Sequence, residues 1–314
     1  MRGHNFRYDI NGGVLCVGHA CYDIIFALEE FPVENRKYKT TETGQSPGGP
    51  ACNAASLLGK WGAPSSLACL LGDDIYAGLI INEMRDWGVD TSLCEKRVGR
   101  QTPLSCILVN SATGSRTIIN RRDTRQCLAL GEADFVRAFP EAPRVLLFDG
   151  HEPRASLAAA RAFPGALTVL DAGSLREGTD MLSHTVDYCI ASETFAREAQ
   201  GYTGSSASLE KALRGLSRGG AAHVCITLGE EGGAFLEGGS VCRYTAYPAK
   251  TLDTSAAGDI FHGAFAWAIL HGNNFDSALR LAAVAAGLSV QRRGGRASIP
   301  DLEETLRLAD KQET

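Results

Sequence analysis

The chain has 314 residues, 44% apolar and 21% charged, which are ordinary proportions for a globular protein and exclude a disordered, tail-like chain. A formal net charge of −5 provides no overall cationic field for nucleic acid or an anionic membrane. The small basic knots at Arg121-Arg122 and at Arg292, Arg293 and Arg296 read instead as a solvated face or a local phosphate contact. No run approaches the roughly 20 apolar residues of a membrane-spanning helix, and residues 1–13 lack the apolar core of a secretory signal. The ten cysteines are scattered without a C-x-x-C pair and mostly sit in apolar runs, so reduced thiols in a cytoplasmic protein are expected.

From the N-terminus, Val14 to Val17 is a short apolar run, and the strand-like pattern continues to Phe26 with Asp23 inside it. Arg36 to Glu42 alternates polar and β-forming residues. Gly48-Gly49-Pro50 opens a helix: proline suits the first helical position, and Ala51, Ala54, Ala55 and Leu58 recur at helical spacing, leaving Asn53 opposite. Thr102 to Asn120 reads as a hairpin around Ala112-Thr113-Gly114. Neither this hairpin nor Arg36 to Glu42 is apolar enough for the middle of a buried parallel sheet. Both are expected in a small β-lid, as segments 34–46 and 101–122 inserted in one domain spanning 1–314; ordinary edge strands would carry the same pattern.

Farther on, the apolar runs Val145 to Phe148, Leu167 to Leu170, Tyr188 to Ile190 and Val224 to Leu228 alternate with helical stretches. These are Ala155 to Phe163, Leu209 to Ser217, Ala257 to Leu270 and Phe275 to Val290. Such alternation predicts an α/β fold whose mostly parallel sheet is covered by helices on both faces.

The densest chemistry lies in Asp253-Thr254-Ser255-Ala256-Ala257-Gly258-Asp259. Small residues lead straight into a helix on which Ile260, Phe261, Ala264, Phe265 and Ala268 share one face, with Asp259 on the other side. Unpaired amides at a helix start can hold a phosphate, and small side chains let it come close. Asp259 is then either an acidic first-turn residue favoured by the helix dipole or a base beside a phosphoryl group. Asp23 likewise fits a carboxylate receiving polyol hydroxyls or one satisfied by local backbone. Gly48 and Gly49 fit close approach to a ligand or a plain turn.

Asp23, Gly48-Gly-x-x-x-Asn53, Thr227-Leu-Gly229-x-x-Gly232 and Asp253-Thr-x-Ala-Ala-Gly-Asp259 occur in the order and spacing of the ribokinase/PfkB carbohydrate kinases. The resemblance runs from about Val14 to Pro300, and the Gly-Gly-Arg-Ala-Ser-Ile-Pro tail is similar to the ketohexokinase and sulphofructose kinase side of that family. It implies a ribokinase-like three-layer sandwich with a β-lid, and an ATP- and Mg2+-dependent kinase acting on a small, ketose-like sugar. By matched position, Asp259 resembles the catalytic base, and Ala256, Ala257 and Gly258 resemble the anion hole. Asp23, Gly48, Gly49, Asn53, Asn120 and His151 resemble substrate contacts, and Ser192, Glu193, Thr227, Gly229 and Gly232 resemble the nucleotide site. Asp253, Ser255, Ser289, Arg292, Gly294 and Ser298 resemble the surroundings of a monovalent cation, potassium by its preference for oxygen ligands. The family's paired lids imply a homodimer, with Ile107, Val109 and Ile118 on a face covered by the partner or by the sugar.

Two departures stand out. The family's Asn-x-x-Glu near the phosphates is replaced by Ser192-Glu193-Thr194-Phe195, and ribokinase's Lys-Gly is replaced by Pro50-Ala51, which argues against ribose. A nucleoside or hydroxymethylpyrimidine/pyridoxal kinase, or a catalytically silent sugar-binding regulator, would share the fold. A nicotinamide-dependent dehydrogenase is excluded because Gly18 to Asp23 does not supply G-x-G-x-x-G, and a P-loop kinase because Gly59-Lys60 precedes tryptophan.

Overall fold

The computed structural model describes residues 12–311 apart from 114, 124 and 295. Gly114 of the expected hairpin turn and Gly295 of the basic tail therefore lie outside the described residues. The first half runs β1 (Val14–Val17), β2 (Cys21–Leu28), β3 (Thr43–Gly48), α1 (Pro50–Lys60), β4 (Ser65–Gly72) and α2 (Ile75–Asp86). It continues with β5 (Val89–Asp90), β6 (Cys94–Arg97), β7 (Leu104–Asn110), β8 (Arg116–Arg121) and α3 (Glu132–Ala138). The middle comprises β9 (Val145–Phe148), α4 (Pro153–Ala162), β10 (Leu167–Ala172), α5 (Glu177–Ser183), β11 (Tyr188–Ser192), α6 (Glu193–Gln200) and α7 (Ser206–Gly219). The last part comprises β12 (His223–Thr227), β13 (Gly233–Glu237), β14 (Ser240–Tyr244), α8 (Ala257–Leu270), α9 (Phe275–Ser289) and α10 (Leu302–Asp310).

One sheet has the order β14-β13-β12-β11-β10-β9-β1-β4-β5, with β6 also paired to β4. From β12 to β5 its pairings are parallel, and the β13–β14 hairpin closes one edge antiparallel. Strand β1 shows why its sequence is an unbroken apolar run. Val14 and Cys16 pack into the core beneath α1, α8 and α9, while Leu15 and Val17 pack into the core on the α4–α7 side. A strand buried on both faces has no position left for a polar residue.

Helix α8 corrects the one-sided packing expected for it. Every residue from Ile260 to Leu270 is buried, because α8 lies between the sheet, α1 and α9. Gly263 permits this: a Cβ there would lie 3.1 Å from the Ala54 backbone. The same holds for α1, whose residues Ala51 to Leu58 are all buried, Asn53 included.

A second sheet has the order β3-β2-β7-β8, with β2–β7 parallel and the other pairs antiparallel. The hairpin expected over Thr102 to Asn120 is present as β7 and β8, with Asn110 Oδ1 accepting from Ala112 N and Thr113 N in its turn. Two expectations are overturned here. The run from Val14 to Phe26 is not one strand: the chain breaks at 18–20 and β2 crosses into the second sheet, taking Asp23 with it. Arg36 to Glu42 forms no strand, being irregular and largely exposed; the lid strand is the following β3, whose end at Gly48 pairs with Cys21. Polar alternation marked the approach to the strand rather than the strand. Among the described residues no helix is long and apolar enough to cross a membrane.

Candidate active site

The chain enters α8 through a tight turn. Asp253 Oδ1 accepts from Ser255 N at 2.8 Å and Oδ2 from Gly294 N at 2.9 Å, so one carboxylate binds two loops. These hydrogen bonds outweigh the opposing effect of burial and hold the Asp253 carboxyl below its usual range. Ala256 then adopts a left-handed φ of 59°, unusual for a residue with a Cβ, and α8 begins. Gly258 faces open space, with no heavy atom within 4 Å of where a Cβ would sit. The helix start therefore presents backbone amides without a covering side chain, the arrangement that receives an anion.

Asp259 stands in the first turn of α8, and Asn53 Nδ2 donates to its Oδ2 at 2.6 Å. Asn53 Oδ1 is itself buried without a hydrogen-bond partner among the described residues, an acceptor left over beside the contact to Asp259. Burial, followed by the Asp171 and Asp149 carboxylates, raises the Asp259 pKa to about 7, against the opposing effects of Asn53 and His262. His262 underlies this group: its Nδ1 lies 2.7 Å from Gly258 O and 3.3 Å from Asp171 Oδ2, and its Nε2 lies 3.2 Å from Ile190 O. Asp171 is also pushed upward, mainly by burial.

Across from Asp259, Asp23 projects from β2. Gly48 on β3 leaves it room, since a Cβ at Gly48 would collide with the Asp23 carboxylate. Cys21 Sγ approaches Asp23 Oδ1 at 3.1 Å, and burial raises the Asp23 pKa. Gly49 holds φ 96° as the cap of α1, and a Cβ there would lie 2.6 Å from His19 O. Its glycine is demanded by the turn and by close backbone approach together.

Asp23, Gly49, Asn53, Asn120, His151, Ser255, Ala256 and Asp259 are brought together around a cleft of ≈ 410 Å³ beneath the second sheet. Gly48 lies just behind Asp23. Ala257 and Gly258 continue the α8 turn.

The nucleotide candidates sit at the ends of neighbouring strands, with Ser192 and Thr227 in register. Ser192 Oγ caps α6, accepting from Phe195 N at 3.0 Å and donating to Gly173 O at 2.7 Å, and Glu193 pairs with Arg197. Gly229 (φ 60°) faces open space, whereas a Cβ at Gly232 would strike Tyr244 O. Of the cation candidates, Asp253, Ser255 and Gly294 are joined, and buried Ser298 donates its N–H to Gly294 O at 3.1 Å. Ser289 and Arg292 are engaged elsewhere: Ser289 Oγ donates to Ala286 O within α9, and the Arg292 guanidinium lies 3.6 Å from Glu304 of α10. Among the described residues no cluster of three or more His, Cys, Asp or Glu could hold a metal ion.

Sequence reasoning missed several groups. The Asp149 carboxylate accepts from His19 N (2.7 Å), His151 N (2.9 Å) and Ala51 N (3.2 Å), tying the ends of β1, β9 and α1 together under the cleft. Its strand-end position after Phe148 was the available signal. Arg176 also lines the cleft, beside Arg122 of the basic knot already singled out, which is bonded to His151. Burial, followed by these two arginines, lowers the His151 pKa to about 3, and burial followed by His151 and Arg122 takes His19 well below its usual value.

Comparison with known proteins agrees with this geometry. The family model described as pfkB family carbohydrate kinase matches residues 12–302. The chain is 28% identical to a ribokinase of Arabidopsis thaliana over 94% of this chain and 80% of that one. It is 27% identical to a ketohexokinase of Mus musculus over 87% and 94%. The solved structure of Arabidopsis thaliana ribokinase with ribose and ATP superposes with a TM-score of 0.80 at 24% identity, covering 95% and 98% of the two chains. The chain belongs to the pfkB family of carbohydrate kinases, in the ribokinase-like fold, and is a phosphotransferase.

Proposed function

We propose that the protein transfers the γ-phosphoryl group of ATP to a hydroxyl of a small sugar or sugar derivative, with a ketose-like acceptor favoured. The observation that carries this reading is the Asp259 carboxylate, hydrogen-bonded to Asn53 at the open start of α8 and facing Asp23 across the cleft. The acceptor hydroxyl attacks phosphorus, the bond from phosphorus to the β,γ-bridging oxygen breaks, ADP leaves, and the hydroxyl proton passes to Asp259. The amides of Ala257, Gly258 and Asp259 hold the transferring group, with Ala256 shaping the turn. Asp23 and Asn53 Oδ1 accept hydroxyl hydrogen bonds, and Gly49, Asn120 and His151 complete the acceptor wall.

ATP lies over the ends of β11 and β12, against Thr227, Gly229 and the Ser192-Glu193 start of α6. Mg2+ needs only one or two carboxylates beside the phosphates, since it keeps several waters. Glu193 suits that role, and the metal supplies charge neutralisation between the phosphates. Asp253, Ser255, Gly294 and Ser298 are grouped as a monovalent cation would need, with Asp253 ionised. The four-stranded sheet is read as a lid inserted in a single kinase unit, and two lids as clasping in a homodimer. Free cysteines and an ATP substrate fit a cytoplasmic setting.

A sugar is favoured over a nucleoside because no Phe, Tyr or Trp among the described residues lines the cleft to stack a base. A thermal-shift screen of sugars and nucleosides with a non-hydrolysable ATP analogue tests the reading. Stabilisation by a sugar in the presence of the analogue supports it; stabilisation by nucleosides alone contradicts it.

A further inference from the structure

The charge of the cleft is opposite to that of the chain. The whole sequence carries −5, yet the cleft is lined by Arg116, Arg121, Arg122 and Arg176 against only two carboxylates, Asp23 and Asp259. Some of that positive charge is engaged by the protein. Arg116 donates to Thr254 Oγ1 at 2.6 Å, Arg121 donates to Thr102 O at 3.1 Å, and Arg122 lies 3.9 Å from Glu152. Glu152 also accepts from Leu128 N, and Asp149 is occupied by three backbone amides. Arg176 has no carboxylate or hydrogen-bond partner for its guanidinium among the described residues.

The position of these groups separates them from the nucleotide. Sheet order runs β12, β11, β10, β9, β1, so the nucleotide candidates at β11 and β12 lie on one side. His151 follows β9, His19 follows β1, and Arg122 follows lid strand β8, all on the other side; Arg176 follows β10 between them. The two histidine rings lie tilted at 37° to each other with centroids 4.7 Å apart, and burial with the neighbouring arginines keeps both neutral. The acceptor side therefore holds the Arg122 guanidinium backed by neutral imidazoles, with Arg176 at its border, where a neutral polyol would need only hydroxyl partners. Arg122 is half-buried and anchored on His151, while Arg176 is exposed at the cleft wall; guanidinium groups recognise oxyanions in a planar, bidentate way.

We propose that the acceptor is an anionic sugar, carrying a carboxylate or phosphate that Arg122, on the side away from ATP, and Arg176, between that side and the nucleotide, bind together. This rests on the kinase reading and narrows it: Asp259 activates the hydroxyl, and the arginine pair selects the molecule that bears it. The anion adds to the opposing charge that Asp149 and Glu152 give Arg122 and that Asp171 gives Arg176.

The test measures ADP release by the full chain with ATP and Mg2+ on paired acceptors: D-fructose with D-fructose 6-phosphate, and D-glucose with D-gluconate. The expected result is a kcat/KM at least about tenfold higher for one anionic member than for its neutral partner, with the phosphate and carboxylate arms identifying the group. Arg176→Ala and Arg122→Ala should raise KM for that acceptor about 10- to 100-fold while leaving KM for ATP within about twofold. Equal or better use of the neutral members overturns the proposal and leaves the kinase reading intact. So does an Arg176→Ala variant that lowers kcat and raises KM for ATP instead, because the guanidinium would then serve the transferring phosphoryl group. If no acceptor is used, the anionic proposal fails. Basal ATP hydrolysis that persists unchanged in Asp259→Asn would then sink the kinase reading as well.

Discussion

As the proposed base, Asp259 combines two demands that conflict at the level of a single residue. A base must be ionised to accept a proton, but burial and the Asp171 and Asp149 carboxylates raise its pKa to about 7. The acceptor kcat/KM is therefore expected to rise with pH through about 7 and then level, measured by initial rates at constant ionic strength. A flat profile from pH 5.5 to 8.5 contradicts the assignment. The same shift affects stability. The folded chain retains a proton that the unfolded chain releases near 3.8, so the contribution is fully present below that pH and is lost as pH rises to about 7. Asp259→Asn cannot ionise, and its Tm should exceed that of the natural chain at pH 8 and converge with it near pH 4. Asn53 contributes at this scale by donating to Asp259 while its own Oδ1 is buried without a partner among the described residues; helix periodicity placed Asn53 opposite the packing stripe but could not aim its amide.

At the scale of elements, β1, β9 and α8 were legible to the residue. Strands buried on both faces are continuous apolar runs, and the turn of 253–256 leads straight into a strongly apolar helix. The lid was legible only in its hairpin. Strand β2 carries apolar residues on both faces and followed β1 too closely to be separated by pattern, and the chain before β3 is more β-like in composition than β3 itself. Arg122 was visible as half of a basic knot and His151 as a substrate candidate, but their meeting with Arg176 was not legible, because the three come from separate loops and meet only through the sheet order. Within the lid, register places Ile25, Ile107 and Ile118 in one row across β2, β7 and β8, and all three line the cleft. The row is held down by Arg116 to Thr254 Oγ1 and by the Arg293–Glu42 ion pair at 2.8 Å. Ile118→Asp puts a charge on the side that, in the proposed function, closes over the acceptor. It should lower kcat/KM about tenfold or more through incomplete closure and an unpaired charge, with little change in Tm because Ile118 is 46% exposed. Unchanged kinetics in that variant contradict a gating lid.

For the whole molecule, the two sheets differ in what they leave uncovered. The large sheet is covered by helices on both faces, whereas the lid has a cleft on one side and exposes Ile118 and Ile119 at its β8 edge, at 46% and 58%. An exposed apolar edge strand is ordinarily paired or covered. Ile107 and Ile118 face the cleft and Val109 a neighbouring cavity, so the proposed lid-to-lid dimer would close the same space that holds the acceptor. Sedimentation equilibrium at micromolar protein is expected to give a dimer, with or without acceptor; a monomer under both conditions contradicts the clasp and leaves a lid that folds onto its own chain.

The central claim is that Asp259 accepts the hydroxyl proton during phosphoryl transfer, and the most direct measurement is kcat of Asp259→Asn with the acceptor that the natural chain uses. General-base removal typically lowers the rate about 10²- to 10⁴-fold, and a loss of that size with ATP affinity unchanged is the predicted result. Retention of more than about a third of kcat would contradict it, because an amide cannot take the proton the reaction must release.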